Sequence, residues 1–181
     1  MGDFDRYLRG NGIDIGAGND PLRVEVGSVR TWDKSDGDAE LLGGIEDESY
    51  DFVYSSHCLE HLRNVPNALH HWARICKPGG VVYIVVPEWT LYEHRQWPSL
   101  HNPEHKCSFS VITCERPTGH PHFTVGDLVS IATGLSLSVR EVRLDMDGFL
   151  FPFHRTESPF IDQTMAGAQA QLTLVFEKQV C

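Results

Sequence analysis

Three histidines and one glycine-rich turn carry the clearest chemical capacity in this chain. His57 follows a strand-like run, and His101 and His105 lie in Trp97-Pro98-Ser99-Leu100-His101-Asn102-Pro103-Glu104-His105-Lys106. Imidazole exchanges its proton near neutral pH, so each is a candidate general base. Gly16-Ala17-Gly18 follows Ile13-Asp14-Ile15, in which two β-branched residues flank one acid. A buried strand that breaks into Gly-x-Gly lets the backbone turn sharply and approach a ligand closely, as nucleotide sites at strand ends do. The same two glycines also make ordinary turns. His101, His105, Cys107, Cys114, His120 and His122 add soft or borderline metal donors. Their spacings match no standard zinc pattern, so no metal is expected.

These residues need strands and helices to hold them. Asp20-Pro21 has the composition of a helix start, but Gly27 stops it, so the connection to the strand Val29–Trp32 is a single turn or a loop. Tyr50–Ser56 reads as a strand, and 57–62 as a loop or helical turn. Val65, Leu69, Trp72 and Cys76 repeat at helical spacing, which places Trp72 in the core, and Pro78-Gly79-Gly80 ends that helix. Val81–Val86 is apolar without interruption, the pattern of a central parallel strand. Residues 88–123 are irregular and rich in His and Pro, and are expected to form a substrate-side loop. Thr124 caps a helix ended by Gly134, and strands follow at 135–144 and 170–177. Between them, Phe149-Leu150-Phe151-Pro152-Phe153 is an apolar cluster, read as a contact surface or a plug for the core. The alternation makes the class α/β.

Composition narrows the function. The 181 residues suit a single domain, 1–181, with a short lead-in over 1–11. No apolar run approaches a membrane span, and no secretory signal is visible. The five cysteines form no C-x-x-C pair and read as free thiols, so a cytoplasmic location is expected. A net charge of −10 argues against a nucleic-acid backbone as partner.

Five motifs follow in a fixed order: Ile13-Asp14-Ile15-Gly16-Ala17-Gly18; Asp33 after the second strand; Gly37-Asp38-Ala39-Glu40; Tyr50 to Ser56 running into His57-Cys58-Leu59-Glu60-His61; and Lys77-Pro78-Gly79-Gly80 before the apolar strand. Together they resemble the class I S-adenosylmethionine-dependent methyltransferases, in particular the small family often called type 11. The resemblance covers roughly residues 10–90 by motif and the remainder by element order. It implies a Rossmann-like sheet, mostly parallel with an antiparallel C-terminal strand. It also implies methyl transfer from S-adenosylmethionine, leaving S-adenosylhomocysteine, to a small-molecule or glycan-like acceptor.

In that family the turn formed here by Gly16, Ala17, Gly18 and Asn19 lies under the methionine part of the cofactor. Asp14 holds the turn or the cofactor ammonium, Asp33 the ribose hydroxyls, and Asp38 with Ala39 the adenine. Ser55, Ser56 and His57 sit where the strand opens towards the methyl group. His61 reads as a packing residue. Asp33, Asp36 and Asp38 also fit solvated loop acids. A dinucleotide dehydrogenase would want a third glycine where Pro21 stands. No D/N-P-P-Y run or Pro-Cys pair follows the Tyr50–Ser56 strand, which disfavours nucleic-acid methylation. Two departures bear on the fold. About ten residues precede the first strand, where the family usually has covering helices. Between Asp33 and Asp38 there is no room for the usual helix and third strand. The sheet is therefore expected to be trimmed near its second and third strands, with an exposed edge that makes a homodimer a candidate assembly. The missing cover leaves a cofactor-binding protein without transferase activity, or a non-catalytic partner subunit, as the alternative.

Overall fold

The computed structural model describes residues 6–112, 117–150 and 162–180. Its elements in chain order are β1 (Gly10–Ile15), β2 (Gly27–Trp32), β3 (Tyr50–Ser56), a 3-10 turn (Leu59–His61) and α1 (Val65–Ile75). Then come β4 (Cys76–Pro87), β5 (Ser108–Ser110), β6 (His122–Thr124), α2 (Val125–Gly134), β7 (Leu137–Asp145), a second 3-10 turn (Gln163–Ala166) and β8 (Gln171–Lys178). The main sheet has the order β2-β1-β3-β4-β8-β7. The first four strands pair in parallel, and β8 runs against both its neighbours. This is the mostly parallel, trimmed Rossmann-like sheet that the resemblance implies.

One open alternative is settled and one expectation is corrected. Residues 20–26 form no helix, so the β1–β2 crossover is a loop. The backbone of Gly27 passes too close to β1 for more. A Cβ there would lie 1.8 Å from the Gly10 carbonyl oxygen, at a φ of +117°. The stretch 88–123 is not wholly irregular either. Ser108–Ser110 and His122–Thr124 pair in parallel as a separate two-stranded sheet, and Phe109 bridges to Glu88 at the exit of β4. Short polar strands flanked by proline give no alternating pattern, so the sequence hides them. Of the 149–153 cluster, only Phe149 and Leu150 fall within the described residues.

Both helices cover one face of the sheet. Ala68, Leu69 and Trp72 of α1 and Leu128 and Ala132 of α2 pack on Ile13, Ile15, Val53, Ile84 and Leu174. Asn64 caps α1 by accepting from Asn67 N, and Thr124 and Asp127 form a reciprocal capping box on α2. The other face carries Leu8, Phe52, Tyr83, Val85 and Val175, with Tyr7, Leu22 and Val24 packed on them. The α1 helix ends at Ile75, before the Pro78-Gly79-Gly80 expected to stop it; Cys76 already belongs to β4, and residues 77–80 form an irregularity where β4 shifts register against β3. Gly79 has φ +75°, and a Cβ at Gly80 would lie 2.7 Å from the Asp51 carbonyl oxygen. The β2 strand forms one sheet edge, with four of its six residues exposed.

Candidate active site

The C-terminal ends of β1 and β3 open into a cleft of about 910 Å³. Asp14, Gly16, Ala17, Asn19 and Ser56 line it, together with Tyr54 and residues 20–23. Gly16 N donates to the Trp32 carbonyl at 2.8 Å, which folds the turn back over β2. Its φ is +81°, and a Cβ would lie 2.6 Å from Cys58 Cβ. Only glycine fits there. Asp14 is 2 % exposed, and its carboxylate accepts from Leu22 N at 2.8 Å. Burial pushes its pKa above the usual carboxylate range. The Leu22 hydrogen bond opposes this, while the charges of Asp20 and Asp33 add to it.

Asp33 stands at the end of β2, half-buried. One carboxylate oxygen accepts from Gly18 N at 3.0 Å and the other from Lys34 N at 2.7 Å. Asp36 in turn accepts from Asp33 N. The acid is thereby clamped to the glycine turn. Asp33, Asp38 and Ala39 are not among the residues that line this cleft. Asp38 accepts from Glu40 N, and its carbonyl starts the turn that ends at Leu42. Two ties fix this loop to α1. Trp72 Nε1 donates to the Ala39 carbonyl at 2.9 Å, and Glu40 accepts from Arg63 N and Asn64 N. Trp72 is fully buried, as its helical register predicts.

A second cavity, about 410 Å³, begins one residue further along β3. Its walls include His57, Glu60, His61, Tyr92, Asn102, His105 and Gln171. His57 takes a left-handed backbone, φ +53°, which turns its ring off the strand. Its Nε2 lies 3.0 Å from Gln171 Oε1, and its Nδ1 lies 3.5 Å from Glu60 Oε1. Burial pulls the His57 pKa down, but the Glu60 carboxylate and Gln171 outweigh it and the net direction is upward. His105 Nδ1 is 2.6 Å from Glu93 Oε1, and both side chains are buried. His61 stacks edge-on against His105, and burial lowers its pKa. His101 does not line this cavity. It packs against the rings of Tyr92 and His94.

The structure therefore brings His57 and His105 together and leaves His101 behind Tyr92. Of the His/Cys donor set of residues 101–122, Cys114 lies outside the described residues, and the others form no metal-binding trio among themselves. Cys107 Sγ faces the carbonyls of Leu59 and Glu60, while His120 and His122 bond Ser108. The described cysteines are free thiols, and burial pushes Cys58 and Cys76 up to about 12. They are not thiolates at neutral pH. Sequence reasoning missed Glu60, Tyr92, Glu93 and Gln171. Glu60 lay in plain view between His57 and His61. Gln171 arrives only through the antiparallel pairing of β8 with β4, which no local pattern announces.

The sequence matches the methyltransferase domain family over residues 2–124, and the chain belongs to that family. Solved structures similar to it share its fold. One is the complex between the Haloferax volcanii Trm112 methyltransferase activator and its proposed methyltransferase, with a TM-score of 0.63, 17% identity, and coverage of 97% of this chain and 86% of the other. A second is a proposed sarcosine dimethylglycine methyltransferase from Galdieria sulphuraria, at 0.58, 17%, 97% and 80%. A third is an S-adenosylmethionine-dependent methyltransferase from Thermotoga maritima, suggested to act on histamine nitrogen, at 0.57, 16%, 94% and 83%. Comparison with curated proteins finds no match. The chain is thus a class I methyltransferase, and its cofactor is S-adenosylmethionine.

The residues present fit that cofactor. Gly18 has φ +53°, and a Cβ there would find nothing closer than the Gly16 carbonyl oxygen at 4.0 Å, so open space lies above the turn. Burial is the main cause of the raised Asp14 pKa, and the charges of Asp20 and Asp33 add to it; a sulfonium and ammonium cation in the cleft would offset those charges. Among the described residues, no helix is long and apolar enough to cross a membrane.

Proposed function

We propose that this methyltransferase acts on a small-molecule or glycan-like acceptor held in the second cavity, with His57 as general base. One observation carries the reading: Ser56 lines the cofactor cleft, and the next residue, His57, lines the other cavity. Adjacent residues on one strand end thus join donor and acceptor space. A cavity of about 410 Å³ with His, Glu, Asn, Tyr and Gln on its walls suits a polar small molecule.

In this reading Asp14, Gly16, Ala17, Gly18 and Asn19 hold the methionine part of the cofactor, Asp33 the ribose, and Asp38 with Ala39 the adenine end. Ser56 borders the methyl. When bound, S-adenosylmethionine supplies a methyl already activated on a sulfonium and leaves as the neutral thioether. The protein's contribution is placement and proton transfer. Asn102 and Gln171 orient the acceptor. His57 takes the proton from the acceptor heteroatom as that heteroatom's bond to the methyl carbon forms, with its Nδ1 side held towards Glu60. The Glu60 carboxylate stabilises the resulting imidazolium, as an acid beside an imidazole does.

The test is a screen for S-adenosylhomocysteine release over hydroxyl, amine and sugar acceptors. On a productive acceptor, His57→Ala is expected to lower kcat about 100- to 10,000-fold with cofactor affinity unchanged. Unchanged kcat would remove His57 from the reaction. Release only with nucleic acid or protein acceptors would overturn the small-molecule assignment.

A further inference from the structure

The floor of the second cavity holds a group of side chains that general-base chemistry does not use. Glu60, His61 and His105 each offer one donor atom, and these atoms lie within 4.8 Å of one another. No other such trio of His, Cys, Asp or Glu occurs among the described residues. We propose that Glu60, His61 and His105 form a binding site for a divalent transition cation of the zinc class, with its open coordination positions facing the acceptor cavity.

Three features beyond proximity point to a ligand. First, Glu60 is 1 % exposed, and its Oε2 has no hydrogen-bond partner. A buried carboxylate oxygen left unpaired is costly, and a cation would satisfy it. Its Oε1 meanwhile faces His57. Second, His105 is oriented from behind. His105 Nδ1 bonds the buried Glu93 carboxylate at 2.6 Å, which leaves Nε2 for a metal. The Glu104 backbone lies beside the His61 ring and favours its charged form. A carboxylate or carbonyl behind a histidine is the arrangement that fixes the tautomer of metal-bound imidazoles. Third, the two chain segments are locked together. Lys106 N and Cys107 N both donate to the Glu60 carbonyl, at 2.7 and 3.3 Å.

The donor set is two imidazoles and one carboxylate, which suits zinc, iron(II) or manganese with positions left for water or substrate. Around bonds of about 2 Å, donors stand roughly 3.3 Å apart, so closing on a cation asks only a small inward movement. The exposed positions border the space lined by Tyr92, Asn102 and Gln171. A cation there would take a hydroxyl or carboxylate oxygen of the acceptor, and this last step rests on the small-molecule reading above.

The experiment titrates metal-depleted full-length protein with Co²⁺ alone, without cofactor or acceptor, and reads the visible spectrum and stoichiometry. The expected result is one equivalent per chain with nitrogen–oxygen ligand-field bands. His61→Gln, His105→Ala and Glu60→Gln should each weaken binding about 100-fold or more. Glu93→Gln should weaken it about 10- to 100-fold. His70→Ala, on the exposed helix surface, should leave it unchanged. Circular dichroism of each variant reports folding, and Glu60→Gln keeps side-chain volume. Substoichiometric uptake, a sulfur-to-cobalt charge-transfer band, or binding indifferent to both His61→Gln and Glu60→Gln would overturn the site. Cofactor calorimetry on the same samples is independent of all these readouts, so failure of the metal site and failure of the methyltransferase reading are separable.

Discussion

Single residues set the chemistry of this protein through burial more than through identity. Asp14 shows this most clearly. Its sequence context announces a turn acid, but its environment makes it an ionisable group under tension. Desolvation raises its pKa above 3.8, and only one backbone hydrogen bond opposes that rise. Two consequences follow with opposite signs. A carboxylate attracts a cationic ligand, and protonation abolishes that attraction. Cofactor affinity should therefore decline from neutral pH as pH falls through the raised value, and the decline should begin above the ordinary carboxylate range. For folding, an acid with a raised pKa contributes stability below its unfolded value and loses it as pH rises. Asp14→Asn should thus raise the Tm of cofactor-free protein at neutral pH while weakening and flattening the pH dependence of binding. Calorimetry and thermal melts across pH check both signs. Equal pH dependence in wild type and variant would show that Asp14 does not face the cation.

At the scale of elements, the glycine turns decide how the strands approach one another. Gly27 and Gly134 make a controlled pair. Gly27→Ala forces a Cβ onto the Gly10 carbonyl in a left-handed conformation, and should cost on the order of 3 kcal/mol or more. Gly134 ends α2 with nothing within 4 Å of a Cβ, and Gly134→Ala should gain about 0.5–1 kcal/mol. Urea denaturation of both variants measures the contrast. Sequence pattern found the long elements well. Val65 to Ile75 and Tyr50 to Ser56 have the periods and caps that local rules recognise. Gly16 and Asp33 were legible because a turn and a strand end have local signatures. The Ser108–Ser110 and His122–Thr124 pair was not, because short polar strands take their identity from a distant partner. The same is true of the second cavity. Glu93, His105 and Gln171 belong to segments that meet only after β8 inserts beside β4.

On the scale of the molecule, the sheet explains why so short a chain can carry the family's chemistry. Six strands keep the four parallel neighbours that frame the cofactor cleft and give up only the flank beyond β2. The helices lie on one face, and the second cavity is lined in part by Tyr92, Asn102 and His105 and by Thr164, Ala168 and Ala170 of the segment before β8. Tyr7 and Leu8 pack on the opposite face, and Tyr7 Oη donates to Glu141 at 3.0 Å. Tyr7 and Leu8 of the lead-in are therefore packed against the sheet. Its strand edge at β2 remains open. The two cavities meet at the Ser56–His57 junction, so the proposed methyl transfer depends on the first of them holding S-adenosylmethionine.

Titration calorimetry with S-adenosylmethionine and S-adenosylhomocysteine tests that directly. Wild-type protein should bind both at one site per chain. On the proposed reading Asp33 bonds the ribose hydroxyls, so Asp33→Ala should weaken both about 10- to 100-fold, with the circular dichroism spectrum retained. Absence of binding by the wild type, or equal affinity in the Asp33→Ala variant, would contradict the account.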